Sequence, residues 1–218
     1  MSSPFPKPAT VAVCLFLPLL GAPRASAQLF LYGVKAGVPL TKFLDTPTSI
    51  YASSINRYAI GGTVEARLPW NLAIEIDGIY RHYGYSAGPY TADKTSTGDW
   101  EFPILAKYRF ARGSVRPYAD AGIAIGTLSG TTQTETLIML WSQERPYTTT
   151  TSDPIELRRT TIAGWATGGG IDLRVRRLHI QPEVRFTRWN GRHFLNSGPP
   201  QSLLSNRNQA EFLLAIAF

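Results

Sequence analysis

The stretch Asp99-Trp100-Glu101-Phe102-Pro103-Ile104-Leu105-Ala106-Lys107-Tyr108-Arg109-Phe110 decides the fold. Trp100, Phe102, Ile104, Tyr108 and Phe110 share one parity, while Glu101, Lys107 and Arg109 share the other. Successive side chains of a strand point to opposite faces, so this stretch predicts one strand with an apolar and a charged face. Its length suits a tilted strand crossing a bilayer, which takes about 9 to 11 residues.

Working outward, the same rhythm recurs in 29–38, 57–68, 72–83, 116–128, 159–174, 178–189 and 206–218, so the chain is expected to form eight strands. The connections alternate in length. Segments 69–71, 111–115 and 175–177 are tight, whereas 39–56, 84–98, 129–158 and 191–205 are long and rich in Gly, Pro, Ser, Thr and Asn. Short turns at one end and long loops at the other are the pattern of an outer-membrane barrel.

Alternation alone does not say which face is inside, because a soluble barrel with an apolar cavity shows the same rhythm inverted. Gly33, Gly37, Gly61, Gly122, Gly126, Gly164, Gly168 and Gly170 all fall on the polar face. A crowded, narrow lumen requires small residues there and a solvated exterior does not. Aromatic residues gather at strand ends on the apolar face: Phe30, Trp70, Phe110 and Phe218 towards the short turns, and Tyr58, Tyr80, Trp100 and Phe186 towards the loops. Two such belts mark the two membrane interfaces.

The first 27 residues differ from the rest. Lys7 precedes the apolar run Val11 to Leu20, and Ala25-Ser26-Ala27 follows a break at Gly21 to Pro23, the layout of a cleaved secretory signal. The barrel domain is therefore expected over 28–218. Cys14 is the only cysteine and lies inside that segment, so the exported chain has no thiol or disulfide. The formal charge of +7 falls to +5 without Lys7 and Arg24, and no basic run exceeds the pairs Arg158-Arg159 and Arg176-Arg177. Nucleic acid is thus not an expected partner.

Trp100 to Tyr108, Arg116-Pro117-Tyr118, Pro182 to Trp189 and the terminal Phe218 resemble stretches of the small outer-membrane barrels of the OmpA and OmpX type, and the similarity covers 28–218. That resemblance implies an all-β, eight-stranded antiparallel up-and-down transmembrane barrel with short periplasmic turns. It also implies outer-membrane lipid as surroundings, and an assembly machinery that reads the terminal aromatic, here Phe218. It specifies architecture rather than activity.

Parity places Glu65, Glu75, Asp77, Glu101, Asp120, Asp172, Glu183 and Glu211 inside, against Lys35, Arg67, Arg81, Lys107, Arg109, Arg116, Arg174 and Arg185. Eight acids against eight bases predict a mutually neutralising lumen, since eight strands leave room only for side chains or one small ligand. Arg67 is expected near Glu75, and Lys107 opposite or diagonal to Asp120. His82, His179 and His193 are too widely spaced for a local metal motif, and each is expected to be solvated or interfacial. No cofactor is expected.

Some barrels of this class are lipid A deacylases with a His and a Ser two residues apart and a Glu near the last strands. Here Ser197 follows His193 by four residues and Leu195 stands between them, so the match fails even with Glu211 available. Leu137, Ile138, Met139, Leu140 and Trp141 in the longest loop form either the tip of a strand hairpin above the membrane or a patch for an extracellular partner. The expected function is that of a non-enzymatic outer-membrane anchor with a plugged lumen and surface loops for envelope integrity or adhesion; a narrow gated channel is the alternative, and a lipid A-modifying hydrolase ranks below both.

Overall fold

The computed structural model describes residues 29–44, 51–87, 93–137, 147–152, 154, 157–196 and 203–218. The strands are β1 (Phe30–Pro39), β2 (Tyr51–Arg67), β3 (Leu72–Ala87), β4 (Asp93–Arg109), β5 (Val115–Leu137), β6 (Tyr147–Thr151), β7 (Thr161–Val175), β8 (Leu178–Trp189), β9 (Leu195–Asn196), β10 (Leu203–Leu204) and β11 (Asn208–Ala217). Eight of them, β1 to β5, β7, β8 and β11, pair antiparallel with their neighbours. The β1–β11 pairing joins the two ends of the chain, and β4–β5 completes the ring. The protein is an eight-stranded up-and-down barrel, as its alternation implied.

Closure pairs each of the eight wall strands on both sides, which is what allows a sheet to lie in hydrocarbon. Val34, Ile60, Val64, Ile74, Ile76, Ile104, Ile123, Val184 and Ile216 stand exposed on the outer wall, where they meet lipid. Their strand neighbours Lys35, Glu65, Glu75, Asp77, Lys107 and Glu183 are buried inside. The short-turn belt of Phe30, Trp70, Phe110 and Phe218 is exposed. At the other end Tyr80 leans on Trp100 with ring centroids 5.1 Å apart, and Trp165 on Phe186 at 5.7 Å.

The tight turns follow from residues that adopt left-handed backbone: Trp70 and Asn71 at φ 62° and 65°, Gly113 at 126° and Arg176 at 59°. The inward glycines permit close approach of strands. A Cβ at Gly33, Gly61 or Gly122 would lie 2.0–2.1 Å from a carbonyl oxygen of the adjacent strand.

The strands run further than their apolar parity extends. β2, β3, β4 and β5 continue through 51–56, 84–87, 93–98 and 129–137, segments expected as loop. Leaving the membrane ends the need for an apolar face but not the backbone pairing, so Thr- and Ser-rich sequence continues as a ladder. β5 also pairs with β6 from Gln133↔Thr151 to Leu137↔Tyr147, a hairpin above the barrel. Residues 138–141 of the suggested recognition loop, like residues 1–28, lie outside the described residues.

Candidate functional site: the lumen

The inward parity of the strands builds three tiers of charge along the barrel axis. At the short-turn tier Arg109 donates to both Glu65 carboxylate oxygens at 2.6 Å and to Asp172 at 3.0 Å. Arg116 reaches Asp172 at 2.7 Å. His179 Nδ1 lies 2.7 Å from Asp172 Oδ1, and since a carboxylate only accepts, Nδ1 is the donor there; Arg67 lies 3.4 Å from Nδ1 and 3.3 Å from Nε2.

The middle tier is denser. Lys35 Nζ lies 2.6 Å from Glu75, 2.8 Å from Asp77 and 3.2 Å from Glu183. Arg185 donates to Glu183 at 2.6 Å and to Glu75 at 3.2 Å, and its Nη1 lies 2.8 Å from Asp77 as an ion pair. Lys107 pairs with Glu75, donates to Gln181 Oε1 at 3.1 Å, and sits 4.2 Å above the Tyr118 ring. These groups come from opposite walls, so the pairs lock the barrel across its bore. Buried charges of this kind are tolerated only when each has partners and hydrogen bonds.

At the loop tier Arg81 bonds Glu211 and lies 2.7 Å from Glu101 and 3.8 Å from Asp99. Gln209 donates to Glu211 at 2.9 Å and to Glu101 at 3.2 Å, and Trp189 donates to Gln209 at 3.1 Å. Above this tier Phe43 stacks on Tyr83 with centroids 4.2 Å apart and meets Phe194 edge-on at 6.0 Å. Leu44, Leu128 and Phe194 are buried in the same cluster, which caps the outer mouth.

Several expectations need correction. Lys107 and Asp120 are register partners, but the ammonium turns to Glu75 and both Asp120 oxygens are buried without a hydrogen-bond partner. Arg67 stands opposite Ala73, not Glu75, and approaches Glu65 at 3.4 Å, because Glu65 and Glu75 are themselves the cross-strand pair. Arg174 has the inward parity but lies at the rim, exposed, with its guanidinium on the Arg176 carbonyl. The acid–base balance also shifts: among the described residues nine carboxylates and five Lys or Arg side chains are buried, with Arg67 and Arg116 half-buried.

Of the histidines, His179 is buried in the short-turn tier rather than solvated. His193 is buried too, with Nδ1 donating to the Arg159 carbonyl at 2.8 Å and its own amide donating to Ser205 Oγ at 3.0 Å. Burial holds the His193 imidazole below its ordinary pKa, against the raising effect of that carbonyl. Glu211 is committed to Arg81, and Ser197 is outside the described residues. Among the described residues no group of three or more His, Cys, Asp or Glu could hold a metal ion.

The charge census passed over Asp99, Tyr118, His179, Gln181 and Gln209. Asp99 shares the parity of Glu101, and His179 and Gln181 share that of Glu183, so alternation carried the signal for these three. The cap of Phe43 and Phe194 had none, since both lie outside any barrel strand.

A closed sheet with an apolar wall, two aromatic belts and a charge-filled bore defines an integral outer-membrane β-barrel protein. The chain belongs to the family of the outer membrane protein beta-barrel domain, whose model matches residues 25–188. No curated protein matches the chain. Among solved structures it is similar to the outer membrane protein OprG of Pseudomonas aeruginosa at 11% identity and TM-score 0.55, covering 86% of this chain and 93% of that one. Neisserial surface protein A is similar at 12% identity and TM-score 0.45, with 86% and 94% covered. The N-terminal barrel of Pseudomonas aeruginosa OprF gives 11% identity and TM-score 0.37, with 88% and 98% covered.

Proposed function

We propose that this protein is a non-enzymatic anchor in the outer membrane, with a plugged lumen and outer hairpins that serve envelope integrity or recognition at the surface. The middle tier carries the reading: Lys35, Lys107 and Arg185 interlock with Glu75, Asp77 and Glu183 across the bore. Water or ions passing through would have to separate these pairs, and breaking one by removing a partner costs about 3 to 5 kcal/mol. The aromatic cap above adds a second closure. In this reading 1–27 is a cleaved export signal, Phe218 is the assembly signal, and the 137–141 loop meets an extracellular partner. Phe218 exchanges backbone hydrogen bonds with Tyr32, so it completes the strand pairing that closes the barrel.

Planar-bilayer recording of the purified full chain tests the plug. The expected result is small, intermittent conductance. Large, steady currents would replace the anchor with a channel. A narrow gated cation path is the second reading, favoured by the carboxylate excess and by the unpartnered oxygens of Asp120; it requires the currents to be cation-selective. Lipid A of unchanged mass in cells expressing the protein is the expected result against a hydrolase.

A further inference from the structure

At the short-turn end a cavity of about 820 Å³ opens towards the periplasm, lined by Arg67, Arg109, Arg112, Arg116, Arg174 and Arg176 and by no carboxylate. The adjacent acids, Glu65 and Asp172, are already engaged. Arg109 takes both oxygens of Glu65, and Arg109, Arg116 and His179 share Asp172. Six guanidiniums therefore face two spent carboxylates.

Their hydrogen-bonding capacity is also unfilled. Arg116 Nε is buried with no partner. Arg67 reaches Glu65 only at 3.4 Å and the imidazole of His179 at 3.3 Å, and Arg174 reaches the Arg176 carbonyl at 3.4 Å. Arg67 and Arg116 have side chains only 21% and 16% exposed, so water screens their mutual repulsion poorly. A concave wall of one sign focuses the field and draws in counter-charge.

The shape and placement narrow that counter-charge. Guanidinium forks match phosphate oxygens in a bidentate manner. A cavity of this size accommodates more than a lone ion. Trp70, 84% exposed, lines the same cavity and belongs to the aromatic belt, which sets the opening at headgroup depth.

We propose that this arginine vestibule binds a phosphate-bearing anion, supplied by an anionic phospholipid headgroup of the periplasmic leaflet or by a soluble phosphate ester of the periplasm. It is independent of whether the lumen conducts.

The test uses the full chain folded in a non-ionic detergent, titrated with phosphatidylglycerol, with phosphatidylcholine as neutral control, and separately with inorganic pyrophosphate. Binding is read by native mass spectrometry. The wild type is expected to retain phosphatidylglycerol over phosphatidylcholine. Arg112→Gln with Arg174→Gln and Arg176→Gln, all exposed rim positions, is expected to weaken retention at least tenfold. The matched outer triple Arg158→Gln, Arg159→Gln and Arg188→Gln should stay within twofold of wild type. A heat-modifiable band at the wild-type temperature verifies folding, and Arg174→Gln alone should give a partial loss if the triple variant does not fold. Binding of both probes, with pyrophosphate displacing the lipid, upholds one shared site. Lipid binding alone upholds the headgroup as source, and pyrophosphate binding alone upholds the soluble ester. The proposal is overturned if neither probe binds in preference to phosphatidylcholine, or if the inner and outer triples weaken binding equally.

Discussion

Lys107 and Asp120 face each other across β4 and β5, yet the lysine ammonium pairs with Glu75 and leaves the aspartate without a partner. Glu75 wins because it is the hub of the bore, shared by Lys35, Lys107 and Arg185. The two acids should therefore respond oppositely to removal. Glu75→Ala takes a shared carboxylate from three cations and leaves Lys107 with Glu65, 3.5 Å away, as its remaining acid, so it is expected to cost about 3 to 5 kcal/mol. Asp120→Asn removes a charge that no hydrogen bond holds, so it should leave stability unchanged or raise it. The temperature at which the heat-modifiable folded band disappears on a gel measures both, and a larger loss for Asp120→Asn would contradict this pairing.

Ile76 and Ile104 are direct partners on the outer wall, both exposed to lipid. Either one changed to Arg should destabilise the inserted barrel by about 2 to 4 kcal/mol near the midplane. Thr63, buried on the opposite parity, has an oxygen with no hydrogen-bond partner. Thr63→Arg should act through crowding in the bore instead. Reversible urea unfolding in lipid vesicles separates the cases, because only the wall substitutions should lose their effect in thinner bilayers.

The Phe43–Tyr83 stack makes a removable lid of the outer cap. Phe43→Ala leaves the charge tiers untouched, so the folded band should survive while brief openings in bilayer recordings become more frequent. An unaltered opening frequency would show that the middle tier alone closes the bore.

His193 gives the outer end a pH dependence. Its pKa in the folded protein is lowered, mainly by burial, from an unfolded value near 6.5. The folded state thus binds this proton less readily than the unfolded state. Its contribution is present above about pH 6.5 and is lost as pH falls through that range. Hydrogen exchange at Phe194 and Ser205, corrected for intrinsic rates, should speed up on going from pH 7.5 to 5.5 in the wild type and not in His193→Gln. Equal pH responses in the two proteins would remove His193 as the cause.

Parity set out the strands and the two sets of side chains, because a strand's period of two is local, and the small residues on the polar face together with the aromatic strand ends then determined which set meets lipid and which charges point inward. Residues 99–110 carried the alternation most plainly. Turn sites were legible for the same reason, since Asn71, Gly113 and the Arg176-Arg177 pair interrupt the period. Partner choice was not legible: Lys107 could meet Asp120 beside it or Glu75 diagonally across the neighbouring strand, and only the narrowness of the closed bore, which brings Lys35, Arg185 and Glu183 to the same point, decided for Glu75. Arg174 kept its parity and lost its burial because it lies at the rim, a matter of depth that alternation does not encode. The cap of Phe43, Tyr83 and Phe194 depends on segments far apart in the chain that meet only when β1 closes on β11, so tertiary structure alone created it.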